Sequence, residues 1–269
     1  MPREAGRVCR VESLDDPRLA CYRNLKDRQL AAQGRLFIAE GEFIVRRLIA
    51  SGWGVDSLLA SPRLLAELEP LLDPAVPVYV APDDLLTRIV GFSFHLGVLG
   101  CGRRPAWPTL EQAAAGWGPE ATVLTLPEIT NGENLGALLR VAAGFGVSSV
   151  ILGPRCCDPL YRLCVRVSMG TVFSLPIVRS SDLEADCLIL RDRHGFELAA
   201  AVLDGDAIPL RQFQRPARLS LLLGNEAQGL APQHVALCRH RLTIPMKLGT
   251  DSLNVAVAAV FLYHVSTTG

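Results

Sequence analysis

The chain has 269 residues, of which 49 % are apolar, enough for two domains with ordinary buried cores. Its formal net charge is zero, so the overall balance gives no sign of a nucleic-acid or acidic-membrane partner, although local patches rather than sums decide such binding. No apolar run approaches the roughly 20 residues that span a bilayer, and the opening Met-Pro-Arg-Glu lacks the apolar core of a signal peptide. A cytoplasmic protein is therefore expected, with no membrane partner. Its eight cysteines, Cys9, Cys21, Cys101, Cys156, Cys157, Cys164, Cys187 and Cys238, include no C-x-x-C pair and no histidine at zinc-ligand spacing. They read as small core residues, and no metal is expected.

The basic residues are nearly all arginine, Lys26 and Lys247 being the only lysines. Arginine suits phosphate contact and base stacking, but a composition bias gives the same count. Arg3, Arg7, Arg10, Arg18, Arg23, Arg28 and Arg35 gather near the start, where a loose basic region could track an RNA backbone or simply be a solvated face. From there strand and helix signals alternate. Arg35 to Glu40 reads as a strand and Gly41 to Ser51 as a helix, with Phe43, Ile44, Leu48 and Ile49 at helical spacing. Val55 to Ala60 is a strand, and Pro62 to Leu72 a helix with proline at its first position. Pro77 to Ala81, Asp83 to Ile89 and His95 to Gly100 add a strand, a short helix and a closing strand, making a small α/β sandwich.

Gly100 to Pro108 and Gly116 to Pro119 are dense in glycine and proline, which break both kinds of element. They divide the chain into a domain at 1–104, a linker at 105–119 and a second domain at 120–269. The second domain opens with the strand Ala121 to Leu126, a loop from Pro127 to Glu133 and a helix from Asn134 to about Phe145. A strand follows at Ser149 to Leu152, a helix around Pro159 to Met169, a strand near Ile177, a helix near Asp182 to His194 and a strand at Leu198 to Val202. The last third reads as a strand at Leu219 to Leu223, a helix around Pro232 to Cys238, a strand at Leu242 to Ile244 and an apolar helix from about Asn254 to Val265. Such alternation predicts a mostly parallel sheet with helices on both faces.

Three stretches could carry chemistry. The first, Asn131 to Val147, lies where a strand gives way to a helix, and ligands of open α/β sheets bind at such edges. Asn134 is a plausible N-cap, and Gly136, Arg140 and Gly144 share one helix face. In the second, Leu221 to Leu230, an apolar strand runs into Gly224-Asn225-Glu226, with Gly229 beyond. Glycines there permit positive φ and leave backbone N–H groups to face a ligand. In the third, Leu242 to Ala259, a polar loop presents Ser252 and Asn254 ahead of a helix apolar nearly all round, which should be buried. Each stretch taken alone also fits a bland turn or cap. No G-x-G-x-x-G, Walker A, G-x-S-x-G or H-E-x-x-H is present, and His95, His194, His234, His240 and His264 are scattered.

Together and in this order, Asn134-x-Gly136-(x)3-Arg140, Gly224-Asn225-Glu226-(x)2-Gly229-Leu230 and Ile244-Pro245-Met246-(x)5-Ser252-Leu253-Asn254-Val255 resemble the motif set of the SpoU (TrmH-like) family of the SPOUT superfamily. Arg166 to Pro176 resembles the family's segment between the first two motifs. Phe37-Ile-Ala-Glu40-Gly41-Glu42-Phe43 is similar, less specifically, to its L30e/L7Ae-like amino-terminal RNA-binding domain. The resemblance implies an α/β protein whose carboxy-terminal SPOUT domain ends in a trefoil knot, working as a homodimer. It also implies S-adenosyl-L-methionine as cofactor and transfer of methyl to a ribose 2′-hydroxyl of rRNA or tRNA. Carried over by position, the catalytic set is Asn134, Arg140, Glu226, Ser252 and Asn254, and the cofactor contacts are Thr125, Leu223, Gly224, Ile244, Met246 and Leu253. Where many members have Asp-Pro ahead of the motif asparagine, this chain has Asn131-Gly132. The competing readings are a catalytically inactive RNA-binding protein of the same fold and an unrelated α/β enzyme acting on a small molecule.

Overall fold

The structure is a computed structural model that describes residues 7–23, 35–92, 94–225, 228–245 and 256–267. The chain divides into two compact units, one of Met1–Ala106 with Asp158–Phe173, the other of Trp107–Cys157 with Ser174–Gly269.

In the first unit, β1 (Val8–Arg10) is followed by β2 (Leu36–Glu40), α1 (Glu42–Ala50), β3 (Val55–Ala60), α2 (Pro62–Leu68), β4 (Val78–Val80), α3 (Asp83–Val90) and β5 (Val98–Arg103). The sheet runs β1-β4-β3-β5-β2, with β5 antiparallel to both its neighbours and β1, β4 and β3 parallel. The α3 sequence shows why it folds so. Asp83 and Asp84 sit in its first turn and Arg88 in its last, matching the helix dipole. Leu85, Leu86, Ile89 and Val90 form the buried stripe, and Gly91 stops the helix at φ +78°.

Two expectations for this unit need correcting. The closing strand does not end at Gly100 but runs to Arg103. A Cβ on Gly102 would lie 2.3 Å from the Phe37 ring, so the glycine admits an aromatic side chain instead of breaking the strand. Nor are the amino-terminal arginines loose throughout. Arg7 donates to the carbonyls of Glu69 and Leu72, Arg18 pairs with Asp16, and Arg23 donates to the Asp16 carbonyl. Arg3 and Arg28 lie outside the described residues. The strand β1 and the 3-10 turn Pro17–Tyr22 were not expected; Tyr22 is fully buried and its hydroxyl meets Ser57 Oγ at 2.7 Å.

The second unit begins with α4 (Leu110–Ala114), so the stretch read as a linker holds a helix. Thr109 and Gln112 form a capping box, and Leu110 and Ala113 pack into the unit's core. Next come β6 (Ala121–Leu126), α5 (Gly132–Gly144) and β7 (Ser149–Leu152). The chain then contributes Asp158–Phe173, with α6 (Arg162–Val167), to the first unit. There the buried Glu40 carboxylate takes Arg162 and has Arg166 at 4.0 Å, Arg104 pairs with Asp158, and Arg47 donates to the Met169 carbonyl at 2.8 Å. Phe173 joins Phe37 and Trp53 in an aromatic cluster.

The second unit resumes with β8 (Ile177–Arg179), α7 (Leu183–Asp192), β9 (Glu197–Ala201), β10 (Ile208–Pro209), β11 (Arg218–Leu222), α8 (Pro232–Ala236), β12 (His240–Thr243) and α9 (Ala256–Thr267). Its sheet runs β10-β12-β9-β11-β6-β7-β8, and every pairing is parallel. The expected parallel α/β architecture is therefore present. The helix α9 departs from the expectation of complete burial. Phe261, Leu262 and Val265 are buried, but Val260 and Tyr263 are 48 % and 58 % exposed. Among the described residues, no helix is long and apolar enough to cross a membrane.

Candidate active site

Because all strands of the second sheet are parallel, β6, β11 and β12 deliver their carboxyl ends to one edge, the usual ligand edge of an open α/β sheet. On β6, Thr125 is fully buried; its hydroxyl meets Ser220 Oγ at 2.9 Å and its carbonyl accepts from Leu223 N at 3.1 Å. Leu223 and Gly224 thus leave the sheet directly beside Thr125. The turn beyond is closed by two backbone bonds, Asn225 N to Gly229 O at 3.1 Å and Gly229 N to Asn225 O at 2.7 Å. Gly229 takes φ +66°, and a Cβ on Gly224 would lie 2.2–2.4 Å from the backbone of Gly229 and Leu230. No other residue fits at Gly224 without moving the turn. Ile244, half-buried, leaves β12 on the same edge, with β9 standing between β12 and β11.

The helix α5 follows the β6 exit. Its N-cap is Asn131, not Asn134. The Asn131 side-chain oxygen accepts from Glu133 N at 2.7 Å and, more weakly, Asn134 N at 3.4 Å, so the helix begins two residues before the expected start and Asn134 sits inside its first turn. Arg140 is exposed, and among the described residues no ion pair or hydrogen bond engages its guanidinium. It lies about 9 Å further along the helix axis than Asn134 and roughly a third of a turn round, so α5 alone does not bring the two side chains together. Leu135, Leu138, Leu139 and Ala142 are the buried face. The structure thus gathers Thr125, Leu223 and Gly224, puts Ile244 on the same edge and places Asn134 near the β6 exit. Glu226, Met246, Ser252, Leu253 and Asn254 lie outside the described residues.

Sequence reasoning missed what fixes the loop between β6 and α5. The buried Cys156 thiol donates to Leu126 O at 3.1 Å and its sulfur accepts from Ile129 N at 3.3 Å, while Cys157 N donates to Ile129 O at 2.8 Å. Burial pushes the Cys156 thiol above its ordinary range, so it works as a neutral donor. Arg179 donates to the Cys157 carbonyl at 2.9 Å, and Arg155 pairs with Glu128 at 2.9 Å. The adjacent cysteines just after a strand were the available signal; they read as core filler because nothing in spacing distinguishes a packing thiol from a hydrogen-bonding one.

An open parallel sheet with a glycine turn and a helix N-terminus at its carboxyl edge defines an α/β protein built to hold a small ligand there. Comparison with known proteins narrows this. A family model described as the SpoU rRNA Methylase family matches residues 121–264. An uncharacterized tRNA/rRNA methyltransferase of Mycobacterium bovis is 39 % identical over 261 residues, covering 94 % of this chain and 89 % of that one. The 23S rRNA (guanosine-2′-O-)-methyltransferase RlmB of Acinetobacter baylyi is 27 % identical over 71 % of this chain and 80 % of its own. Among solved structures, the AdoMet-bound rRNA methyltransferase of Sinorhizobium meliloti superposes with a TM-score of 0.82 at 24 % identity, covering 97 % of this chain and 98 % of that one. The chain belongs to the SpoU rRNA methylase family.

Proposed function

We propose that the protein is an S-adenosylmethionine-dependent methyltransferase that modifies a ribose 2′-hydroxyl of rRNA or tRNA. The observation that carries this is the Gly224 turn, folded back so closely on Gly229 and Leu230 that no Cβ fits, at the carboxyl edge beside Thr125 in a chain of this family. The names of the mycobacterial and Acinetobacter relatives and the AdoMet-bound structural neighbour support it. Gly224, Leu223 and Ile244, with Thr125 behind them, would hold the cofactor, together with Met246 and Leu253; the cofactor supplies an activated methyl group. The chain between β12 and α9 would close a trefoil knot around this edge.

Methyl transfer to an alcohol needs the hydroxyl placed in line and relieved of its proton, and positioning supplies much of the rate. Arg140 offers an exposed guanidinium that no ion pair engages among the described residues. A pKa above about 12 leaves little of its neutral form, so its role is to stabilise the developing alkoxide and orient the adjoining phosphate. Glu226, Ser252 and Asn254 fix the ribose and the guanidinium, and Asn134 completes the set from the first turn of α5. The first unit, as an L30e-like domain, binds the RNA. A second copy completes the enzyme at the apolar surface that Val260 and Tyr263 leave exposed on α9, near Phe145 of α5, whose ring centroid is 6.0 Å from that of Tyr263.

The test is Arg140→Ala, assayed for methyl transfer to total rRNA and tRNA and, by calorimetry, for cofactor affinity. The variant loses methyl transfer while its cofactor affinity stays close to that of the parent. Wild-type turnover by the variant would refute the role of Arg140. A parent that binds cofactor but methylates neither RNA pool would favour the inactive RNA-binding protein.

A further inference from the structure

One cavity at this edge shares Gly224 with the proposed cofactor cradle and otherwise extends away from it. It measures about 210 Å³ and is lined by Pro127 and Glu128 just after β6, Arg155 after β7, and on the far side Asn225, Gln228 and His234 among others. Clefts that enclose a whole drug-sized ligand run to roughly 300–1,000 Å³, so S-adenosylmethionine does not fit here entire. His234 is 7 % exposed, and among the described residues its Nδ1 has no hydrogen-bond partner. That nitrogen is sealed from the cavity, and the rest of the His234 side chain contributes to the cavity wall.

The charges at the cavity point to the class of ligand. Arg155 is committed to Glu128 at 2.9 Å, so the rim carries no net positive charge for a phosphate or carboxylate. Burial pulls the His234 imidazole down toward its neutral form, opposed by Glu184 and assisted by Arg155. A neutral imidazole has one donor and one acceptor nitrogen, and the Gln228 side-chain amide offers both functions again. Pro127 and Pro232 add flat apolar surface to the same lining. This set suits a planar, uncharged group with hydrogen-bonding edges.

We propose that this cavity receives one nucleobase of the RNA, unstacked from its neighbours and held by its edge against His234 and Gln228. Single-stranded bases are read in this way, splayed out and bonded along their edges. The proposal rests on the reading of the chain as an RNA methyltransferase and makes the cavity a determinant of which nucleotide is chosen.

The test uses the full-length protein, ¹⁵N-labelled at histidine, with the His234 ring signals assigned by their loss in His234→Phe. AMP, GMP, CMP and UMP are titrated separately, with inorganic phosphate and S-adenosylmethionine in parallel arms. At least one nucleotide should shift the His234 ring signals while phosphate leaves them unmoved and cofactor does not displace the bound nucleotide. Gln228→Leu, at an exposed position that folding tolerates, should weaken that binding at least fivefold and raise KM for RNA with cofactor affinity unchanged. Shifts by phosphate equal to those by nucleotides, displacement of the nucleotide by cofactor, or no shift with any nucleotide would each overturn the proposal. Nucleotide binding that persists in a protein unable to bind cofactor would instead refute the methyltransferase reading and leave the base cavity standing.

Discussion

Replacing Glu40 by glutamine removes the charge that holds residues 158–173 on the first unit. Glu40 is 4 % exposed, and its carboxylate engages Arg162, whose side chain is 20 % exposed, and has Arg166, 46 % exposed, at 4.0 Å. Breaking a buried pair from one side costs about 3–5 kcal/mol, chiefly because the remaining charge is left uncompensated. Arg166, half in water, adds no more than a surface pair, ~0–1 kcal/mol. Arg162 keeps its place over the Phe92 ring at 4.7 Å, worth ~0.5–1 kcal/mol, and the glutamine oxygen still accepts one bond. The net loss should be about 2–3 kcal/mol, a fall of roughly 1 M in the urea midpoint for an ordinary denaturant slope. Trp53 reports it directly, since its ring meets Phe173 at 5.3 Å; a background with Trp107 and Trp117 replaced by phenylalanine isolates that signal. Hydrogen exchange at 158–173 should quicken in parallel. A midpoint loss worth under about 1 kcal/mol, with exchange in that segment unchanged, would show that Glu40 is not the anchor.

Gly102→Ala forces a methyl group into the Phe37 ring and should cost about 1–3 kcal/mol by overpacking, read as a lower denaturation midpoint; a neutral result would mean the ring moves freely. Burial, followed by Cys238, Asp186 and Glu184, pushes the Cys187 thiol up to about 12, whereas an unfolded thiol ionises near 8.5. Between those values the unfolded chain binds fewer protons, so stability should fall as pH rises through that window, by at most about 1.4 kcal/mol per pH unit. Cys187→Ala should flatten the fall, and an unaltered slope in chemical denaturation would contradict the assignment. If the proposed dimer forms through α9, Val260→Asp, which places a charge on the exposed side of that helix, should reduce the mass measured by light scattering from two chains to one, with methyl transfer lost; a variant of unchanged mass and activity would remove α9 from the proposed interface.

The parallel sheet was legible because β6 and β7 are short apolar runs, and a helical period follows most of its strands. Ala121–Leu126 and Ser149–Leu152 begin and end where the residues suggested. What escaped was set by contacts distant in sequence. Gly100 and Gly102 look like breakers until Val45 and Phe37 are seen packed against them. The helix start moved from Asn134 to Gly132 because Asn131, whose neighbour Gly132 suggested only a turn, supplies the capping oxygen. Glu40 and Arg166 stood in two segments that were noted separately, 126 residues apart, and only folding shows them addressing the same ion pair. At the site, Thr125, Gly224 and Ile244 were named by the resemblance to the SpoU family, and the order of the parallel strands puts them on one edge; His234 had no such signal, because a lone histidine on a five-residue helix says nothing of the cavity it lines.

The turn from Gly224 to Gly229 belongs to both proposed sites, since Gly224, Asn225, Gln228 and Gly229 also line the base cavity. Its two backbone bonds allow little independent movement of the two sides, so a base seated against Gln228 is mechanically joined to the cofactor cradle at Gly224. This yields an asymmetry among variants. Gly224→Ala drives a methyl group to within 2.2–2.4 Å of backbone atoms, which cannot yield as a side-chain tip can, so the turn itself must shift. Cofactor and nucleotide affinity should then fall together, each by at least tenfold, about 1.4 kcal/mol. His234→Phe alters the cavity from its far wall and should weaken only the nucleotide. Measured by calorimetry on the same preparations, a Gly224→Ala protein that loses cofactor but binds nucleotide normally would show that the turn is not shared, and the two sites would have to be treated as independent.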